Sequence, residues 1–488
     1  MEAPAGQSAG TLPAVSEQPV SDPSLDRPGE ACGVFGIIGP GIDAARHTYF
    51  GLFALQHRGQ ESAGIAVSDS ENITVYKDLG LVAQVFNERV LAGLPGDLAI
   101  GHTRYSTTGS NRWENSQPVF RHLGANGIAL AHNGNLTNTA ALAGRVGPIA
   151  ATTDSELMTE AIAHGMTQSG LNLEDALAEV LPTFEGAFTL AVMDTATLVG
   201  VRDPHGFRPL CLGALDDGWV IASESAALDI MGAEFVRQVA PGEMVIIDRN
   251  GPRSRFPFAE ATPHLCLFEF VYFARPDSNL LGQTVHATRQ EMGRMLARQS
   301  PIDADITVPV PESGIPAAQG FAQVSGVPYT DGLVKNRYVG RTFIEPAQAM
   351  RDRGVRMKLN AMPGVIRGKR VVLVDDSIVR GSTTKQLVAL VREAGASEVH
   401  LRVSSPPYRW PCFYGMDTGD RSTLLAADHT VDEIARMLDV DSLVYLDLDN
   451  LIEATGAGVD AFCTACLSGD YPTDIPITDG KFLLERTT

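Results

Sequence analysis

From residue 33 to about 255 the apolar positions fall in short, dense runs: "GVFGIIG", "SAGIAV", "LAIGHTRY", "GIALAHNGNL", "FTLAVMD", "WVIASE" and "EMVIID". Runs of this length, bounded by Gly and polar residues, predict strands. Residues 43–56 and 155–165 instead repeat their apolar positions at helical spacing. Many strands with few helices predict sheets packed with helices, an α+β arrangement. At 249–264, "RNGPRSRFPFAEATPH", Gly and Pro break the periodicity, and a domain boundary is expected there.

Beyond that break the texture changes. "TVHATRQEMGRMLARQ" (284–299) predicts a helix, "ITVPVP" a strand, "RVVLVDD" (370–376) a buried strand, "STTKQLVALVREAG" a helix and "EVHLRVSSPP" another strand. Strands alternating with helices of this length predict an α/β domain with an open, mainly parallel sheet. Ligands of such sheets bind at the carboxyl ends of the strands.

A chain of 488 residues exceeds one ordinary core, so two domains are expected, at 32–255 and 265–455, followed by a C-terminal segment at 456–488. Residues 1–31 differ from both, with five Pro and five acids against the single Arg27. That composition cannot bury enough apolar surface to offset its ordering entropy, and it lacks the features of a secretory or transit peptide.

The net charge of −20 argues against nucleic-acid or anionic-membrane partners, and no apolar run approaches the ~20 residues needed to cross a bilayer. Six cysteines scattered over the whole length do not form a secreted disulfide framework. An intracellular, cytoplasmic location is expected.

The most specific stretch is "RVVLVDDSIVRGSTTKQLVALV". An uncharged, β-branched strand stops at Asp375 and Asp376, and Arg380, Gly381, Ser382, Thr383 and Thr384 then open a helix. A helix start with a Gly and several hydroxyls suits a phosphate, and the preceding carboxylates suit sugar hydroxyls or magnesium.

This string resembles the phosphoribosyl pyrophosphate (PRPP) motif of the phosphoribosyltransferases. The resemblance implies that Asp375 and Asp376 face the ribose and that residues 380–384 wrap the 5′-phosphate. In "VPVPESGIPAA" it places Glu312, Ser313 and Gly314 where the family holds pyrophosphate, with magnesium, one per subunit, near Ser313, Asp375 and Asp376. "KNRYVGRTFI", with Lys335, Arg337 and Arg341, is similar to the family's mobile basic loop that closes over pyrophosphate.

In the first domain "ACGVFGI", "LQHRGQESAGIA", "GHTRYSTTG", "HNGNLTN" and "TTDSE" follow in order. Together they resemble the class II glutamine amidotransferase domain, an N-terminal-nucleophile αββα sandwich. Amide hydrolysis needs a nucleophile, a base and oxyanion donors. The resemblance makes Cys32 the nucleophile and, once residues 1–31 are removed as a propeptide, its own α-amino group the base, with a reference pKa of about 7.7–8. Asn133 and Gly134 become the oxyanion donors, Arg104 the partner of the glutamine carboxylate and Asp154 that of its ammonium. His57, His102, His132 and His205 lie near these motifs, but the mechanism uses none as base, and structural roles are expected.

Cys412 in "PCFYGMD", Cys463 and Cys466 in "FCTACLSGDYPT" and Cys266 in "CLFEFVYFARPDS" supply four further thiols. Spacing alone leaves zinc and iron–sulfur both open. Cys211, in "LCLGAL", is expected in core packing.

Over residues 32–472 the chain resembles the glutamine PRPP amidotransferases. Their leader-bearing branch carries a [4Fe–4S] cluster, one per subunit, at positions matching the four cysteines. The resemblance implies a glutamine-dependent glycosyltransferase of purine synthesis. Glutamine is hydrolysed at Cys32, and ammonia is channelled to PRPP to give 5-phosphoribosylamine, glutamate and pyrophosphate. It also implies a homo-oligomer, dimer or tetramer, and feedback inhibition by purine nucleotides. The alternatives are another class II amidotransferase, which would not need residues 370–384, or a non-catalytic PRPP-sensing regulator, which would not need Cys32.

Overall fold

A computed structural model of the chain describes residues 31–105, 112–124, 126–146, 151–336, 358–418 and 420–475. Residues 1–30, Arg337, Arg341 and the end of the C-terminal segment therefore lie outside the described residues.

The first half forms two stacked antiparallel sheets. One has seven strands in the order Glu234–Gln238, Cys211–Leu215, Gly218–Ala222, Gly33–Ile38, Leu98–Arg104, Ser62–Ser68 and Ile73–Leu79. The other has six, in the order Gly251–Arg255, Met244–Asp248, Leu198–Arg202, Gly186–Met193, Asn126–Leu136 and Val119–Leu123.

Side-chain alternation explains why the central runs read as continuously apolar. Along Gly33–Ile38, Val34 points into the layer between the sheets with Ile100, Ala131 and Met193. Phe35 and Ile37 point outward, under the helix Ala44–Ala54. The helices Asp154–Gln168 and Leu173–Val180 cover the outer face of the second sheet. The central strands of both sheets are thus buried on both faces and need apolar residues in both registers, and the result is the expected αββα sandwich.

The expected break at 249–264 begins later. Gly251–Arg255 still pairs with Met244–Asp248 as an edge strand, and its polar composition follows from its exposed position.

In the second half, Ile306–Pro309, Arg370–Asp375, Glu398–Val403 and Ser442–Tyr445 lie side by side, all parallel. Val371 and Leu373 face Leu387, Val388 and Val391 of the helix Ser382–Glu393. Val372 and Val374 face the helices Val285–Gln299 and Ile315–Ser325. No helix among the described residues is long and apolar enough to cross a membrane.

Four buried charges tie the two halves together. Arg58 bonds both Glu224 and Glu269, and Arg208 reaches Glu269 at 3.3 Å. All four side chains are fully buried. Burial alone would raise the Glu224 pKa, but Arg58 and His57 outweigh it and hold the carboxyl below its usual range. Removing one member leaves charge buried without its partner, so Glu269→Gln is expected to destabilise the protein by about 3–5 kcal/mol. A lowered denaturant midpoint will show it. Glu88→Gln, which breaks the exposed pair with Arg46, is expected to leave that midpoint nearly unchanged.

Candidate active site

The strand Gly33–Ile38 starts at the end of its sheet, and Cys32 immediately before it is 6% exposed. Its Sγ donates to the Tyr105 carbonyl at 3.2 Å and accepts from the Tyr105 N–H at 3.4 Å. Burial pushes the thiol up to about 11, only partly offset by Tyr105 and the nearby Arg104. At neutral pH the sulfur is therefore protonated, and a base would have to take its proton before it could act as a nucleophile.

A small cleft opens here, lined by Cys32, Arg104, Tyr105, Gln117, His132, Gly134, Thr153, Asp154 and Ser155. Four expected residues, Cys32, Arg104, Gly134 and Asp154, thus meet from segments distant in sequence. Asp154 opens the helix Asp154–Gln168, whose Thr153 and Glu156 form a capping box. Its Oδ2 accepts from the Leu136 N–H at 3.1 Å.

Asn133 and Gly134 lie within the long strand Asn126–Leu136, not in a turn. The Asn133 Nδ2 is buried with no hydrogen-bond partner among the described residues, a donor held ready for an incoming acceptor. Gly134 has φ +148°, and a Cβ there would stand 2.0 Å from the Ala187 carbonyl oxygen, so no other residue fits.

Of the four histidines named from the sequence, His132 lines the cleft and the other three pair elsewhere. His57 bonds Glu224, His205 bonds the Thr262 carbonyl, and His102 lies 2.9 Å from the His132 carbonyl. Burial pushes His102 down to about 3 and lowers His132, so neither is charged at neutral pH.

Sequence reasoning passed over Gln117 and Ser155. The Gln117 Oε1 accepts from the His132 N–H at 2.7 Å, and its Nε2 donates to the Ser155 Oγ at 2.9 Å. One amide therefore braces the residue before Asn133 and the residue after Asp154. No local motif marks Gln117; only the tertiary fold reveals it.

The second site forms at the carboxyl ends of the parallel strands. Asp375 ends the strand Arg370–Asp375, and Asp376 follows, both buried. Asp376 accepts hydrogen bonds from the hydroxyls of Ser313 and Ser377, and its own N–H donates to Asp375 Oδ1 at 2.9 Å. Ser313 and the two aspartates are thus gathered in one place, a hard oxygen donor set of the kind magnesium takes.

Gly381 sits at φ +82° as the N-cap of the helix Ser382–Glu393, so Ser382, Thr383 and Thr384 form its first turn. Arg380 immediately precedes that cap. Lys335 lies in the strand Leu333–Lys335, with its Nζ 3.8 Å from Glu312, beside the Ser313 turn.

The remaining cysteines converge. Cys266 is in direct register with Cys463 in a short parallel pair, and Cys466 follows one turn later. Burial raises the Cys466 thiol well above its usual pKa, and Cys412, Cys266 and Cys463 push it further the same way. No three His, Cys, Asp or Glu side chains among the described residues are gathered into a ready-made site for a metal ion. All four thiols are free, and Cys412, Cys266 and Cys463 each act electrostatically on Cys466. Cys211 packs in the core with its Sγ on the Ala222 carbonyl.

Two family models match, a glutamine amidotransferase domain over residues 102–230 and a phosphoribosyl transferase domain over 294–405. The chain is 53% identical to the amidophosphoribosyltransferase of Mycobacterium tuberculosis, over 96% of this chain and 91% of that one. The chain belongs to the amidophosphoribosyltransferases. It is also 45% identical to the amidophosphoribosyltransferase of Bacillus subtilis, over 91% of this chain and 95% of that one. The glutamine PRPP amidotransferase from B. subtilis, solved in complex with ADP and GMP, superimposes with a TM-score of 0.86 at 43% identity, covering 94% of this chain and all of that one. The activity of amidophosphoribosyltransferases is the glutamine-dependent PRPP amidotransferase step of purine biosynthesis, and this chain carries both domains it requires.

Proposed function

We propose that Cys32 attacks the glutamine carboxamide, with the α-amino group freed by removal of residues 1–31 as its base. The thiol proton passes to that amine and on to the departing ammonia, leaving a γ-glutamyl thioester that water converts to glutamate. Asn133 Nδ2 and the Gly134 N–H stabilise the oxyanion, Arg104 binds the α-carboxylate and Asp154 the α-ammonium. The observation that carries this reading is the cleft in which Cys32, Arg104, Gly134 and Asp154 meet, beside an Asn133 Nδ2 that has no partner among the described residues.

Ammonia then passes internally to the second site and displaces pyrophosphate from the anomeric carbon of PRPP. Asp375 and Asp376 hold the ribose, residues 380–384 hold the 5′-phosphate, and Lys335, with Arg337 and Arg341, closes over the pyrophosphate. Magnesium, held by Ser313, Asp375 and Asp376, would neutralise charge on the leaving group.

Cys266, Cys412, Cys463 and Cys466 fit a [4Fe–4S] cluster as a structural staple. The resemblance to the cluster-bearing branch of the family, together with the convergence of Cys266, Cys463 and Cys466, supports a cluster over a lone zinc. Iron and acid-labile sulfide measured on anaerobically purified protein are expected at about four each per chain; one zinc and no sulfide would overturn this assignment. The relative solved with ADP and GMP supports purine nucleotides as feedback inhibitors here. A cytoplasmic homo-oligomer completes the proposal.

A further inference from the structure

The strand that carries Asn133 and Gly134 is braced by the second half of the chain. Asn135 Nδ2 donates to the Phe413 carbonyl at 3.1 Å and to the Leu136 carbonyl at 3.2 Å. Gly415 lies directly against Gly134, since a Cβ added at Gly415 would stand 3.2 Å from the Gly134 Cα and carbonyl carbon. Gly134 is thus held between the Ala187 carbonyl on one side and Gly415 on the other.

The segment between these contacts is itself pinned. Arg208 donates to the Tyr414 carbonyl through Nε at 3.2 Å and Nη2 at 2.9 Å, while its Nη1 reaches Glu269. Phe207 stacks on Tyr414 with ring centroids 4.2 Å apart and planes 15° from parallel. At the segment's start, the Tyr414 N–H donates to the Cys412 sulfur at 3.4 Å.

Asn133 and Asn135 are two residues apart on one strand, so their side chains leave the same face. The glycine between them has no side chain to fix the peptides on either side of it. An anchor at Asn135 therefore sets the roll of the backbone that aims both the Asn133 amide and the Gly134 N–H.

We propose that Asn135 is a positioning residue for the oxyanion donors, held in place by the Phe413 carbonyl, so that glutamine hydrolysis depends on the Cys412–Gly415 segment. This rests on the assignment of Asn133 and Gly134 as those donors. An oxyanion donor misplaced by a fraction of an ångström loses most of its effect on the transition state and little of its effect on the bound substrate.

The test uses Asn135→Ala and the isosteric Asn135→Asp in the full-length enzyme, with Asn133→Ala for comparison. The expected result for both Asn135 variants is a fall in kcat for glutamine hydrolysis of roughly tenfold to a hundredfold. The KM for glutamine should stay within about threefold, and ammonia-dependent phosphoribosylamine synthesis should be unchanged. Affinity for the γ-aldehyde analogue of glutamine, which forms a tetrahedral adduct on a thiol, should fall in parallel with kcat while affinity for glutamate holds. Should Asn135→Ala fail to fold, Asn135→Asp, which keeps the shape and loses the donor, decides alone. Unchanged kcat in a folded Asn135 variant, or equal loss of aldehyde and glutamate affinity, would overturn the proposal. Full glutamine hydrolysis by Asn133→Ala would instead overturn the oxyanion assignment beneath it.

Discussion

Cys32→Ala is expected to reduce glutamine-dependent phosphoribosylamine formation by roughly 10³-fold or more, the scale on which loss of a covalent nucleophile is felt. Ammonia-dependent formation from PRPP should survive, because Cys32 sits in the first sandwich and takes no part in the second site. The hydroxyls of Thr153 and Ser155, which also line the cleft, do not replace it. Thr153 caps the helix Asp154–Gln168, and the Ser155 hydroxyl is engaged with Gln117 and His132. Parallel assays with glutamine and with ammonium chloride measure both rates, and an unimpaired glutamine rate would remove Cys32 from the chemistry.

Asp376→Asn is expected to act differently, lowering both the glutamine- and the ammonia-dependent rates on the order of 10²-fold. Asp376 joins the Ser313 turn to the strand end through its carboxylate, so the substitution removes a charge where ribose and magnesium are proposed to bind. The two variants form a pair: one blocks a single nitrogen source, the other blocks both. An Asp376→Asn enzyme that kept its ammonia-dependent rate would break the assignment of the second site.

The sequence carried these sites unevenly. Asp375 and Asp376 stood out because a strand buried on both faces must be uncharged, and two carboxylates at its end break that rule abruptly. The central strands of the sandwich were legible for the same reason. The edge strand Gly251–Arg255 was not, because one solvated face lets Gly, Pro, Arg and Ser take positions that read as a break.

Gln117 was hidden because its contacts, to His132 and Ser155, join segments that carry no pattern in common. The network of Arg58, Glu224, Arg208 and Glu269 was hidden likewise, since a buried ion pair leaves no periodic trace. The cysteines fall between these cases. Their number suggested a shared site, but the register that sets Cys266 against Cys463 exists only in the folded chain.

The account turns on the amino group of Cys32. Burial pushes the Cys32 thiol up to about 11 and lowers His132, the histidine that lines the cleft, so the proposed mechanism calls on a base that titrates close to neutrality. A free α-amino group is such a base; a peptide nitrogen is not. The direct measurement is the intact mass and N-terminal sequence of fully active enzyme. The expected result is a chain that begins at Cys32, whereas full glutamine-dependent activity in protein that still carries residues 1–31 would contradict the mechanism.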